Sequence, residues 1–181
     1  MQRAAEFLKD RYADGELDRK TLEQRITALL GAESGSDIAA VVRSVPSPVA
    51  FTDPERRLTR PLEFNSTLGR VRLTARWQLG KETHISAGVG SILVDLTEAQ
   101  FDDHTVDLHI TTGWGRITVI VPRGVDVQIV EHRGGVRRQL EDPVPGLPLV
   151  RLDVKTNIGT VHIRHPNARD RRRRRRGAAS T

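Results

Sequence analysis

Apolar positions fall into two regimes along this chain, a helical spacing in the first 45 residues and a strict alternation from Leu62 onward. Ala5, Leu8 and Tyr12 lie three or four apart and Gly15 follows as a stop, which predicts a first helix. Asp18 reads as the N-cap of a second, with Leu17 before it and Leu22 at the fourth helical position forming a hydrophobic staple. Its apolar face is Leu22, Ile26, Leu29 and Leu30. Gly31 and Gly35 punctuate, Ser36 is placed to cap a third helix carrying Ile38, Val41, Val42 and Val45, and Pro46 ends it. Residues 1–45 are thus expected to form a three-helix head. So small a bundle buries little surface and should lean on the rest of the chain, on a second copy or on a partner.

Residues 46–61 hold four prolines, mixed charges and no periodicity, the signature of an extended linker. From residue 62 to 166 a self-similar unit emerges once the chain is aligned on Gly69, Gly90, Gly115, Gly134 and Gly159, at spacings of 21, 25, 19 and 25 residues. Five residues before these glycines stand Phe64, Ile85, Ile110, Ile129 and Val154. Two after stand Val71, Ile92, Ile117, Val136 and Val161; four after stand Leu73, Val94, Val119, Arg138 and Ile163. Immediately before them come Leu68, Val89, Trp114, Arg133 and Ile158, so the fourth unit is irregular at two positions. A unit of about twenty residues with two short strands around a glycine corner cannot close its own core and must stack on its neighbours. The expected fold is mainly β, a β-solenoid-like stacked-repeat body with a small three-helix N-terminal domain.

Charge changes the picture only at the end of the chain. The net charge is +6, and six consecutive residues, Arg171, Arg172, Arg173, Arg174, Arg175 and Arg176, account for all of it. They are the expected site of attachment to a membrane or another polyanion. Residues 167–181 carry no large apolar side chain and are expected to be disordered, so the basic pI belongs to a polyelectrolyte tail rather than to a folded face. Near an anionic bilayer each basic residue contributes about 1 kcal/mol. On nucleic acid the same six would give a salt slope of roughly −5 without reading sequence. The plain alternative is a tail that only confers solubility. The absence of cysteine excludes disulfides, thiolate metal sites and thiol nucleophiles, and the amino terminus lacks the apolar core of a secretory signal. The expected location is the cytoplasm, peripheral to the inner face of the membrane if the arginines bind it.

Candidate chemistry is sparse. Six histidines stand at 84, 104, 109, 132, 162 and 165. His162 and His165 are three apart, which on a strand sends them to opposite faces. Asp102, Asp103 and His104 are contiguous and read as a solvated loop, so no metal site and no cofactor are expected. Asp95 and Glu98 could supply acid–base chemistry, but the simpler reading is a capped turn with Phe101 packed across the core. Gly-x-Gly at Gly88–Gly90 and Gly113–Gly115 lies inside strand patterns rather than before a helix, so no phosphate loop is formed. Trp114 occupies an apolar column and is assigned to the core; Trp77 is left unassigned. No nucleophile elbow or triad spacing occurs, and an enzyme is not expected.

The head segment Ala4-Ala5-Glu6-Phe7-Leu8, Tyr12-Ala13-Asp14-Gly15-Glu16-Leu17 and Leu22-Glu23-Gln24-Arg25 resembles the short SHOCT-like domain of unknown function common in actinobacterial proteins. The units Val89-Gly90-Ser91-Ile92-Leu93-Val94, Trp114-Gly115-Arg116-Ile117-Thr118-Val119 and Ile158-Gly159-Thr160-Val161-His162-Ile163 resemble the LiaF-like C-terminal domain, the cell-wall-active antibiotic response domain. The connection from Val94 to Phe101 is similar to that family's linking stretch. The resemblance implies a role in sensing or regulating cell-envelope stress through protein contacts near a membrane histidine kinase. The expected protein is therefore a non-enzymatic regulator or scaffold with a protein partner, an anionic membrane surface as a second contact, and nucleic acid as the alternative target of the tail. Exposed strand edges at 62–73 or 150–163 would also permit self-association.

Overall fold

The computed structural model describes residues 2–13, 17–45, 50–58, 60–167 and 170. Three helices open the chain: α1 (Gln2–Ala13), α2 (Arg19–Leu30) and α3 (Gly35–Arg43). Asp18 caps α2 as its sequence position requires, its carboxylate accepting from the Thr21 amide at 2.9 Å. The third helix begins earlier than expected. Ser34, not Ser36, is the N-cap, because Asp37 at the third helical position accepts a hydrogen bond from the Ser34 amide at 2.9 Å and completes a capping box. The expected stops at Gly15 and Pro46 lie outside the described residues.

Ala4, Phe7, Leu8, Leu17, Leu29, Val42 and Val45 form the head's core, while Tyr12 and Leu30, expected on apolar faces, are exposed. Val144, from a loop of the body, completes this core, with Leu147 packed against it. The loop comes so close to α3 that a side chain on Gly146 would meet the Ala39 carbonyl oxygen at 2.7 Å. Arg3 also reaches Glu141 at 3.3 Å.

Eight strands follow: β1 (Ala50–Phe51), β2 (Leu62–Leu73), β3 (Gln78–Leu79), β4 (Glu82–Asp95), β5 (Gln100–Phe101), β6 (Thr105–Ile120), β7 (Asp126–Gln139) and β8 (Leu149–Arg164). They form two open, wholly parallel sheets, one ordered β1-β5-β3 and the other β2-β4-β6-β8-β7. The stretch read as a linker is stitched to the body in its second half. The Thr52 amide donates to the Phe101 carbonyl at 2.8 Å, and the Leu58 amide donates to buried Asp102 at 2.9 Å.

The repeat columns are spatial rows. Phe64, Ile85, Ile110 and Val154 pair in register, as do Val71, Ile92, Ile117, Val161 and Val136. Ile92, Ile117 and Val161 are fully buried. Inward-facing residues change parity within each strand: Ile85 and Ala87 point in before the corner of β4, Ile92 and Val94 after it. The corner therefore contains one extra residue, and the glycine column absorbs it. Gly115 has φ +143°, and a side chain there would overlap the Gly90 carbonyl oxygen on the adjoining strand. Gly69, Gly90, Gly115 and Gly159 stack in one row; Gly90 and Gly159 are overlaid as tightly as Gly115, while Gly69, on the edge strand, has only its φ of +109° to favour glycine.

Two expectations need correction. The strands do not stack in chain order throughout, because β8 inserts between β6 and β7. Val150, Leu152, Val154, Val161 and Ile163 give β8 a continuous inner face, which demands cover on both sides. The fourth unit instead carries Glu131, Arg133, Arg137 and Arg138, and charge and bulges suit an edge. Its register slips twice, so Ile129 pairs with Leu152 rather than Val154. The pairing then jumps from Arg133–Lys155 to Gly135–Thr160, which leaves Gly134 outside the glycine row.

Gly115→Val should lower stability by about 3 kcal/mol or more, because a neighbouring strand's backbone must move. Gly80→Ala should cost about 1 kcal/mol or less, since a Cβ there meets only the Glu82 carbonyl at 3.3 Å, the Leu58 methyl at 3.4 Å and the Thr83 hydroxyl at 3.6 Å. Equal losses in equilibrium denaturation would contradict the corner assignment.

Candidate functional site

The parity change at the corner decides what the residue before each glycine does. Leu68, Val89, Trp114 and Ile158 pair in register across β2, β4, β6 and β8 and are 74%, 48%, 59% and 59% exposed. An apolar column in the repeat alignment normally marks a core row, and on that ground Trp114 is expected inside. The structure overturns that assignment: these side chains stand on the outside of the corner. With strands about 4.8 Å apart, the four make a ridge roughly 14 Å long. Arg133 drops out of the column because the slip in β7 moves it opposite Lys155.

Beyond the glycine row the outer face turns basic. Arg70, Ser91, Arg116 and Thr160 form the first row, and Arg72, Leu93, Thr118, His162 and Arg137 the next. With the glycines as floor, Arg70, Arg72, Arg116, Ser91, Thr118 and Thr160 line an open concavity beside the ridge. Arg70 donates through Nε to the Ser91 hydroxyl at 3.1 Å. Among the described residues, Arg72, Arg116 and Arg137 form no ion pair, and no carboxylate lines the concavity. The field registers on His162, whose pKa is lowered first by burial and then by Arg116, Arg137 and Arg164.

Most of the other candidates have structural duties. Asp95 accepts from the amide and hydroxyl of Thr97, and Phe101 is buried, which makes the connection a capped turn. Asp102 is not solvated: it is buried, holding the Leu58 amide and, at 2.8 Å, Gln78 Nε2. His104 lies against the Phe51 ring. His165 donates from Nδ1 to the Val121 carbonyl and accepts the Glu141 amide on Nε2, both at 3.0 Å, so both ring nitrogens are committed to loop closure. Trp77 packs edge-on against Phe64 and donates to the Asp95 carbonyl at 3.0 Å. The basic run expected to bind membrane or polyanion, Arg171, Arg172, Arg173, Arg174, Arg175 and Arg176, lies outside the described residues. The basic face built from Arg70, Arg72, Arg116 and Arg137 is a positive feature not expected from the sequence, where the excess basic charge falls in the tail alone.

One grouping escaped the sequence reading. His84 on β4 and His109 on β6 are register partners with rings stacked 4.6 Å apart and 9° from parallel. Glu82 sits two residues before His84, on the same face, with its carboxylate 3.0 Å from His84 Nε2. His109 Nδ1 meets Asp153 of β8 at 3.3 Å. Local spacing could not reveal this cluster, but the column six residues before the glycines, with Glu63, His84, His109 and Asp153, does.

These features define a mainly β repeat body that offers an exposed apolar corner and a basic face, with a helical head seated on one of its loops. Residues 68–133 match the family described as "Cell wall-active antibiotics response LiaF, C-terminal". A LiaF-like domain implies a role in the response to cell-wall-active antibiotics. The match spans Leu68, Val89 and Trp114 of the ridge and does not reach the helical head. No curated protein and no solved structure matches the chain. No helix among the described residues is long and apolar enough to cross a membrane.

Trp114→Ser should leave stability within about 1 kcal/mol of the parent, whereas Leu108→Ala in the core should cost about 2–5 kcal/mol. A cooperative loss for the tryptophan variant in urea unfolding would place Trp114 inside. His162 carries a second expectation. Its folded pKa lies below the unfolded value of 6.5, so the unfolded chain binds more protons as pH falls through that window. Its contribution is complete above about pH 6.5 and is lost on acidification. His162→Gln should flatten the denaturation profile between about pH 7 and 5. An unchanged slope would show that the imidazole titrates freely in the fold.

Proposed function

We propose that the chain is a non-enzymatic regulatory or scaffolding protein of the cell-envelope stress response, acting through contact with a protein partner. The observation that carries this reading is the ridge of Leu68, Val89, Trp114 and Ile158 standing beside arginines that no carboxylate neutralises among the described residues. A contiguous apolar strip rimmed by charge is the ordinary anatomy of a docking surface. Covering it would release about 1 kcal/mol or more per side chain, with Trp114 as the natural anchor. The complementary partner presents an apolar strip flanked by carboxylates. A sensor kinase or another envelope-stress component fits the role that a LiaF-like domain implies. The solenoid-like stacking of the body would hold this surface rigid. The tail residues Arg171–Arg176 would attach the assembly peripherally to the anionic inner face of the membrane, and a homo-oligomer through the sheet edges is compatible with that arrangement.

The test uses the full chain in cells exposed to a cell-wall-active antibiotic. Leu68→Ser combined with Trp114→Ser should abolish cross-linking to the sensor kinase while the circular dichroism spectrum stays that of the parent. Cross-linking that survives the double change would remove the ridge from the interface. Deleting Arg171–Arg176 should separately reduce sedimentation with vesicles rich in anionic lipid, with no effect on neutral ones. Unchanged sedimentation together with lost retardation of nucleic acid would instead assign the tail to nucleic acid.

A further inference from the structure

The outer face of the strand halves that precede the glycine corner is chemically unlike the basic half beyond it. Its rows run across the sheet as Glu63–His84–His109–Asp153–Glu131 and Glu82–Asp107–Arg151–Gln128. Two histidines and five carboxylates thus meet there, with Arg151 and, one row on, Lys155 and Arg133 as the cations. Arg151 engages Asp107 at 3.3 Å, and Lys155 engages Glu131 at 2.8 Å and Asp153 at 3.2 Å. Glu82 and the two histidines are left facing one another.

We propose that Glu82, His84 and His109 form a binding site for a divalent transition-metal ion of the zinc class. One donor atom from each lies within 4.8 Å of the others, and two imidazoles with one carboxylate form a donor set that suits zinc, cobalt, nickel or copper better than calcium or magnesium. Tetrahedral coordination needs the two ring nitrogens about 3.3 Å apart, closer than the 4.6 Å stacking of the rings. The His84 and His109 side chains are 42% and 36% exposed, which leaves them room to shift toward that separation when an ion binds. Water completes the shell, since the face is open to solvent.

A second observation points the same way. Asp153 is only 18% exposed and accepts from His109 Nδ1, the arrangement in which a carboxylate fixes a ligating imidazole and leaves Nε2 for the ion. Its other oxygen, Oδ1, is buried without a hydrogen-bond partner among the described residues. Lys155 offsets part of the cost of holding that carboxylate there, and a cation bound through His109 would offset more of it. The ion would tie β4 to β6 and, through Asp153, to β8, so its binding should stabilise the body.

Isothermal titration of zinc into the full chain, first stripped with chelator, should show one equivalent bound and a rise in melting temperature with free zinc. Cobalt in place of zinc should give the visible d–d bands of a nitrogen–oxygen site. His84→Gln, His109→Gln and Glu82→Gln should each weaken binding about tenfold or more, and Asp153→Asn should weaken it by roughly ten- to a hundredfold. His132→Gln, on exposed β7, should change nothing. Circular dichroism of each variant separates lost binding from lost folding. No bound equivalent in the parent, or affinity indifferent to both His84→Gln and His109→Gln, would overturn the site.

Discussion

Close parallel stacking of bent strands governs everything else in this body. Each long strand must change the parity of its inward residues at a corner, and the corner brings the backbone of one strand within overlap distance of any side chain on the next. Only glycine solves both problems, since it accepts φ +143° at Gly115 and leaves room for the Gly90 carbonyl. With that row in place, the rows on either side are forced into register. Ile85, Ile110 and Val154 align on one arm of the core and Ile92, Ile117 and Val161 on the other, all essentially removed from water. Because identical offsets face identical environments, the sheet behaves as a lattice in which one column has one fate.

That lattice explains why so much of the body is legible in the sequence and where legibility ends. Alternation of apolar residues reveals strands, and recurrence of glycine reveals their common corner, because both are consequences of local geometry. Whether the residue before the glycine points in or out depends on an inserted residue that alternation alone does not show. Alternation therefore misplaces Trp114, although it identifies the column correctly. The position of β8 is illegible for a different reason: strand order is a tertiary choice. The irregular fourth unit carries the hint, since Arg133 and Arg138 are tolerable at an edge and costly in the middle. In the head, Asp18 is readable as a cap, whereas Ser34 competes with Ser36 until the Asp37 side chain settles the choice. His84 and His109 are distant in sequence and neighbours in register, so only the alignment column unites them.

Head and body share a core rather than merely a tether. Val144 fills the space among the three helices, and the approach of Gly146 to Ala39 leaves no gap for a larger residue. A bundle of this size gains much of its stability from such borrowed apolar surface. The second half of the stretch between head and body is likewise anchored, by Asp102 and by the pairing of β1 with β5. Burial of Asp102 is tolerated because both carboxylate oxygens accept hydrogen bonds, one of them from backbone.

The corner also divides the outer face by chemistry, and this division follows from the lattice as directly as the core does. Positions after the glycine carry Arg70, Arg72, Arg116 and Arg137, and positions before it carry Glu63, Glu82, Asp107, Asp153 and Glu131 around the histidine pair. Stacking like charges in one row is unfavourable in isolation, since neighbouring strands hold them within reach of each other. On the carboxylate side Arg151 and Lys155 relieve this by pairing with Asp107, Glu131 and Asp153, whereas Arg72, Arg116 and Arg137 have no such partner among the described residues. Arginines without carboxylate partners thus lie on one side of an apolar ridge, and carboxylates with imidazoles on the other, and it is on this division that the proposed docking of an anionic partner and the proposed binding of a cation both rest.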